Sequence, residues 1–136
     1  MADPSVLNDP SEPSDPSGLA EPAESSDVPG QPIRFLTVMT TIDSEQKAER
    51  LARGAIEGGL AACAQISAPV TSVFRWENAV ETTQEWQVLF KTAAPRYEAL
   101  QAYLLAAHDY DTPEIIATPV TRGGAEYLAW VAKETS

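Results

Sequence analysis

Apolar and polar positions change their period several times between Ile33 and the C-terminus. "IRFLTVMT" (33–40) is apolar and β-branched without a break, the pattern of a strand buried on both faces. Asp43 follows, with Gln46 three residues on, which predicts a capping box. Ala48, Leu51, Ala52, Ala55 and Ile56 then recur at helical spacing, so 44–57 reads as an amphipathic helix ended by Gly58-Gly59. "LAACAQIS" (60–67) alternates instead. Leu60, Ala62, Ala64 and Ile66 share one strand face, and Ala61, Cys63, Gln65 and Ser67, mostly small, share the other. Pro69 cannot donate to a ladder and predicts a bulge, bend or edge there.

"VTSVFRWE" (70–77) puts Val70, Ser72, Phe74 and Trp76 on one side of a strand. A turn at Asn78-Ala79 returns the chain through "ETTQEWQVLFKT" (81–92), with Trp86, Val88 and Phe90 on one face and Leu89 on the other. Pro95 suits the first turn of a second helix carrying Tyr97, Leu100, Leu104 and Ala107. "PEIIATPV" (113–120) predicts a short strand bounded by prolines, and Gly123-Gly124 lead into a last helix with Tyr127, Leu128, Trp130 and Val131. The order is β-α-β-β-α-β plus a terminal helix, if 60–77 is one strand bent at Pro69. That is the ferredoxin-like α+β pattern, an antiparallel sheet with two long helices on one face. The other face is then left with Trp, Phe, Val and Ala. Monomers rarely expose so large an apolar patch, so self-association through that face is expected.

Composition divides the chain in two. Residues 1–32 carry seven acids and no Lys or Arg, with seven of the eleven prolines. So polar a segment cannot bury enough apolar surface to offset the entropy of ordering, and it reads as a disordered tail ahead of a folded domain at 33–136. The whole chain has a net charge of −11. That field argues against a nucleic-acid partner, because phosphates need a basic footprint. The tail has neither the basic start and apolar stretch of a secretory signal nor the arginines of a transit peptide. No run approaches a membrane span. A single cysteine fits a reducing compartment, and the cytoplasm is the expectation.

The chemistry-bearing residues crowd into "HDYDTPEII" (108–116), which holds the only histidine. No H-x-x-x-H, C-x-x-C or H-x-x-E-H spacing occurs, so a preformed zinc site within one chain is not expected. There is no Gly-rich phosphate loop and no Ser/His/Asp signature either. His108, Tyr110 and the nearby acids are the residue types of general acid–base work, but no substrate is indicated, and the protein is read as no enzyme.

Five stretches together, "LAACAQI", "VTSVFRWE", "VLFKT", "YDTPEII" and "YLAW", resemble the CutA family of divalent-cation tolerance proteins over residues 33–136. The resemblance implies a ferredoxin-like fold assembled as a homotrimer, with no required cofactor and no established reaction. It implies binding of copper or other divalent ions at Cys63 and His108, and a cleft between subunits lined by Trp76, Lys91, Tyr110 and Glu114. The chain departs from the family where Asp109 replaces a proline, where Asn78-Ala79 replaces a Gly-Lys turn, and where Ala68-Pro69 replaces Pro-Gly.

Each implied site has a plainer alternative. A lone cysteine on a small-residue face is usually a buried small hydrophobe, though as a ligand it favours soft ions such as Cu(I). His108 at a helix C-terminus is favourable as a cation, or it is an imidazole ligand with Asp109, Asp111 or Glu114 supplying oxygens. Glu114, in an apolar run, needs a partner, and Lys91 is the expected one, within a chain or across subunits. Trp76 and Tyr110 pack, or hold a small anion or metabolite in the cleft. The function read from the sequence is a trimeric, metal-binding protein of the metal-ion response. The alternative is a non-enzymatic sensing or signalling trimer with a metabolite in its intersubunit cleft.

Overall fold

The computed structural model describes residues 32–136. The acidic segment read as a tail lies almost wholly outside them. Strand β1 (Phe35–Ile42) starts the sheet, and helix α1 (Glu45–Glu57) follows. The α1 cap is Ser44 rather than Asp43: the Ser44 side chain accepts from the Lys47 amide at 3.2 Å. Adjacent Asp and Ser are both good caps, and the backbone chose the extended residue next to the helix. Asp43 instead meets the Lys47 ammonium at 3.2 Å. At the far end Gly58 caps the helix and Gly59 takes the left-handed φ of 69°.

Strand β2 (Cys63–Ile66) is shorter than the alternating stretch around it. Strands β3 (Val70–Trp76) and β4 (Ala79–Ala93) form a long hairpin, and β2 and β3 pair with successive parts of β4. Between the Ile66–Val88 and Val70–Glu85 pairs, Ser67, Ala68 and Pro69 oppose only Trp86 and Gln87. This is a one-residue bulge at the position where Pro69 denies the ladder a donor. Ser67 keeps the ladder satisfied there. Its amide donates to the Gln87 carbonyl at 2.9 Å, and its hydroxyl accepts from the Gln87 amide at 3.0 Å.

The hairpin turn is Glu77-Asn78, one residue earlier than expected, with Trp76 opposite Ala79. Both turn residues have positive φ, 50° and 70°, as in a type I′ turn matched to strand twist. After β4 a short 3₁₀ turn (Ala94–Arg96) holds Pro95 and leads into helix α2 (Tyr97–Ala107). Strand β5 (Ile116–Pro119) is shorter than the expected 113–120, and helix α3 (Ala125–Glu134) ends the chain. The sheet order is β2-β4-β1-β5, with β3 on β4, and every pair is antiparallel. The α+β class read from the sequence holds.

Alternation divides the sheet cleanly. Val38, Ile42, Val88 and Phe90 point to one face and form the core with Ala48, Leu51 and Ala55 of α1 and Leu100 and Leu104 of α2. On the opposite face α3 crosses near Lys91, so that face is partly covered. The exposed apolar residues concentrate in the hairpin instead, which has β4 as the only sizeable neighbour of β3. Phe74 and Trp76 are 41% and 45% exposed on one side of it, and Val73 and Val80 are 64% and 65% exposed on the other.

Candidate functional site

His108 leaves the end of α2 in an extended conformation, and its side chain is fully buried. Nε2 lies 2.7 Å from the Thr41 carbonyl oxygen. A carbonyl only accepts, so Nε2 carries the proton and donates. Nδ1 is then the lone-pair nitrogen, and it accepts the Tyr110 amide at 3.1 Å. Both ring nitrogens are committed, and the network assigns the neutral Nε2-H tautomer. The rings of His108 and Tyr110 lie 4.5 Å apart at a tilt.

Tyr110 turns its hydroxyl back to the sheet and donates to the Glu85 carboxylate at 2.8 Å. Glu85 is only 7% exposed. Burial first, then this bond to a carboxylate, push the Tyr110 phenol well above its ordinary range. Asp109 faces outward to Lys47 of α1, whose ammonium sits 2.6 Å from it and 3.2 Å from Asp43. The Lys47 hydrogen bond holds the Asp109 carboxyl below its ordinary value. The extra carboxylate in place of a proline is therefore a lysine partner that ties the loop to α1.

Cys63 lies elsewhere. It is a partly exposed free thiol opposite Lys91. Lys91 in turn is opposite Thr37, four residues along β1 from the Thr41 carbonyl that holds His108, roughly 13 Å at strand rise. The Lys91 ammonium donates to the Gln65 side chain at 2.7 Å and stands 6.0 Å over the Tyr127 ring. Burial, then the neighbouring Cys63 thiol, raise the Tyr127 phenol. Glu114 is half-buried, and among the described residues it forms no ion pair with Lys91. The expected pair is thus absent within one chain. Thr118, not Glu114, lies in register with Thr37 and Lys91.

Trp76 is more remote still. It pairs with Ala79 at the hairpin tip, and Lys91 sits twelve residues along β4 from Ala79, roughly 40 Å at strand rise. Trp76, Lys91, Tyr110 and Glu114 therefore cannot line one cleft within one chain. Nor do Cys63, His108 and Glu114 fit one metal centre within it. Among the described residues no group of three or more His, Cys, Asp or Glu side chains is arranged to hold an ion. The residues that do partner the candidates are Thr41, Glu85, Gln65 and Tyr127. Their roles depend on strand register and helix placement, and only the odd-numbered alternation of Glu85 with Leu89 and Lys91 hints at one of them.

Residues 36–134 match the family model described as CutA1 divalent ion tolerance protein. The chain is 38% identical over 98 residues to the divalent-cation tolerance protein CutA of Thermus thermophilus, across 72% of this chain and 95% of that protein. It is 34% identical over 100 residues to the chloroplastic protein CutA of Arabidopsis thaliana, across 74% of this chain and 55% of that one. The solved structure of CutA from Synechococcus elongatus superposes with a TM-score of 0.74 at 33% identity, covering 78% of this chain and 94% of that one.

Proposed function

Because the chain belongs to the CutA1 divalent ion tolerance family, we propose that it acts as a ferredoxin-like homotrimer in the cellular response to divalent cations. In this reading copper or a similar ion is captured where subunits meet. One observation carries it. The candidate ligands are strung along the sheet and do not converge in one chain, while the β3–β4 hairpin projects with apolar side chains exposed on both faces. A neighbouring copy laid against that hairpin covers Phe74 and Trp76 and brings one subunit's Trp76 to another's β2 edge. Cys63 is the soft ligand, and Glu114 supplies oxygen. His108 joins only by releasing the Tyr110 amide or the Thr41 carbonyl. The net charge of −11 raises the local cation concentration around the protein.

The role is read as non-catalytic, since the one imidazole has no free nitrogen to act as a base. Cytoplasmic action is inferred from the free thiol of Cys63, which a reducing compartment preserves. Among the described residues no helix is long and apolar enough to cross a membrane.

Titration of Cu(II), and of Cu(I) under reductant, into wild type, Cys63→Ser and His108→Ala tests the reading. Cys63→Ser should weaken Cu(I) binding at least tenfold, and His108→Ala should alter the Cu(II) affinity. Unchanged affinity and stoichiometry in both variants would sink it.

A further inference from the structure

A cavity of about 220 Å³ lies between α3 and the sheet, at the end of β1 and β4 away from His108. Its charged lining is unusual for so acidic a chain. Lys91 and Arg122 both face it, and no Asp or Glu does. Among the described residues neither cation forms an ion pair, and Lys91 meets only neutral groups, the Gln65 amide and the Tyr127 ring. The remaining walls are mostly apolar, with Phe35, Tyr127 and Leu128 among them, and Thr37 adds a hydroxyl. Two uncompensated cations beside apolar walls match one kind of occupant, an anion with an apolar body.

We propose that this cavity is a binding site for a small organic carboxylate. Its carboxylate lies between the Lys91 ammonium and the Arg122 guanidinium, and its apolar body lies against Phe35, Tyr127 and Leu128. Arginine's planar fork takes both carboxylate oxygens, and the lysine adds a point charge. A single negative charge suits the site better than a phosphate dianion, whose dehydration beside apolar walls costs more. The volume is below the roughly 300–1,000 Å³ of sites for drug-sized ligands, so the apolar body is no larger than about one ring or a short chain. The site is complete within one chain. It shares only Lys91 with the cleft expected between subunits, and it rests on no part of the metal reading.

Two-dimensional amide NMR of the full chain, with EDTA present throughout, tests this with benzoate, acetate and inorganic phosphate at matched ionic strength. Benzoate should shift the Gly123, Gly124 and Tyr127 amides saturably. Acetate and phosphate should bind at least tenfold more weakly, because neither uses the apolar wall. Arg122 is exposed, so Arg122→Gln should fold normally and weaken benzoate at least fivefold, whereas Arg53→Gln on α1 should leave it unchanged. The proposal is overturned if no probe gives a saturable shift at those amides, if phosphate or acetate binds as tightly as benzoate, or if Arg122→Gln binds like wild type. Chelator keeps a failure here separate from a failure of metal binding.

Discussion

The Tyr110 hydroxyl donates a 2.8 Å hydrogen bond to Glu85, joining the acidic connection after α2 to the middle of β4. Glu85 is nearly buried, so Tyr110→Phe leaves a carboxylate without its donor. That should cost about 1–3 kcal/mol in urea unfolding. Burial first, and then the same bond, raise the phenol above its ordinary value of 10.0. Folding therefore favours the protonated phenol. This contribution is whole below about pH 10 and is lost as the pH rises through the higher folded value. Wild type should lose stability on the alkaline side faster than Tyr110→Phe, read from unfolding midpoints across that range.

Lys47 links α1 to the loop through Asp109 and Asp43. Asp109 titrates below its ordinary 3.8 because of that contact. A depressed carboxyl contributes stability above its unfolded value, and the contribution fades as the pH falls through the folded one. In a carboxyl-carbon NMR titration, Lys47→Gln should move the Asp109 midpoint up toward the ordinary value. An unmoved midpoint would refute the contact.

Gly54 sits inside α1, where glycine costs about 1 kcal/mol relative to alanine. A Cβ there would meet the Tyr103 hydroxyl, with Tyr103 Cζ only 3.0 Å away. The hydroxyl donates to the Leu51 carbonyl at 2.9 Å and fixes the crossing of α2 on α1. Gly54→Ala should therefore destabilise by roughly 1 kcal/mol net, the propensity gain being outweighed by crowding. In a Tyr103→Leu background the same substitution should become stabilising, and thermal melts of the four proteins read the change of sign.

The Glu77-Asn78 turn places two side-chain-bearing residues at positive φ. Left-handed backbone costs roughly 1–2 kcal/mol for most residues, less for Asn and nothing for Gly. Changing the pair to Asn-Gly, as Glu77→Asn with Asn78→Gly, should raise stability by about 1 kcal/mol. Asn78→Val should lower it by a similar amount. Both are measurable by denaturant midpoint.

Local signals carried the element order well. Alternation named the faces of β4, with Val88 and Phe90 buried as the period-two pattern requires. Pro69 narrowed its stretch to a bulge, a bend or an edge, because a missing donor has only a few structural solutions, and the chain takes the bulge. Where two neighbours were equally able, the pattern slipped by one residue, as at Asp43 against Ser44 and at Asn78-Ala79 against Glu77-Asn78. The site was less legible. His108 read as a cation at a helix end or as a metal-ligating imidazole until β1 supplied the Thr41 carbonyl and the chain folded the Tyr110 amide onto Nδ1. Lys91 and Glu114 looked like complementary charges, but strand register sets Lys91 opposite Cys63, within reach of the Gln65 amide, and Glu114 lies outside β5. Such partners are fixed by contacts between distant segments, and no spacing along the chain encodes them.

We propose that the metal-binding site is built between copies, with the β3–β4 hairpin as the joint. Native mass spectrometry at low micromolar concentration tests it most directly, on wild type and on the double variant Phe74→Glu with Trp76→Glu. Wild type should give three times the 14.6 kDa chain mass, and the variant should fall to one chain with its circular dichroism retained. A wild-type monomer, or a variant that stays trimeric, would contradict assembly through the hairpin.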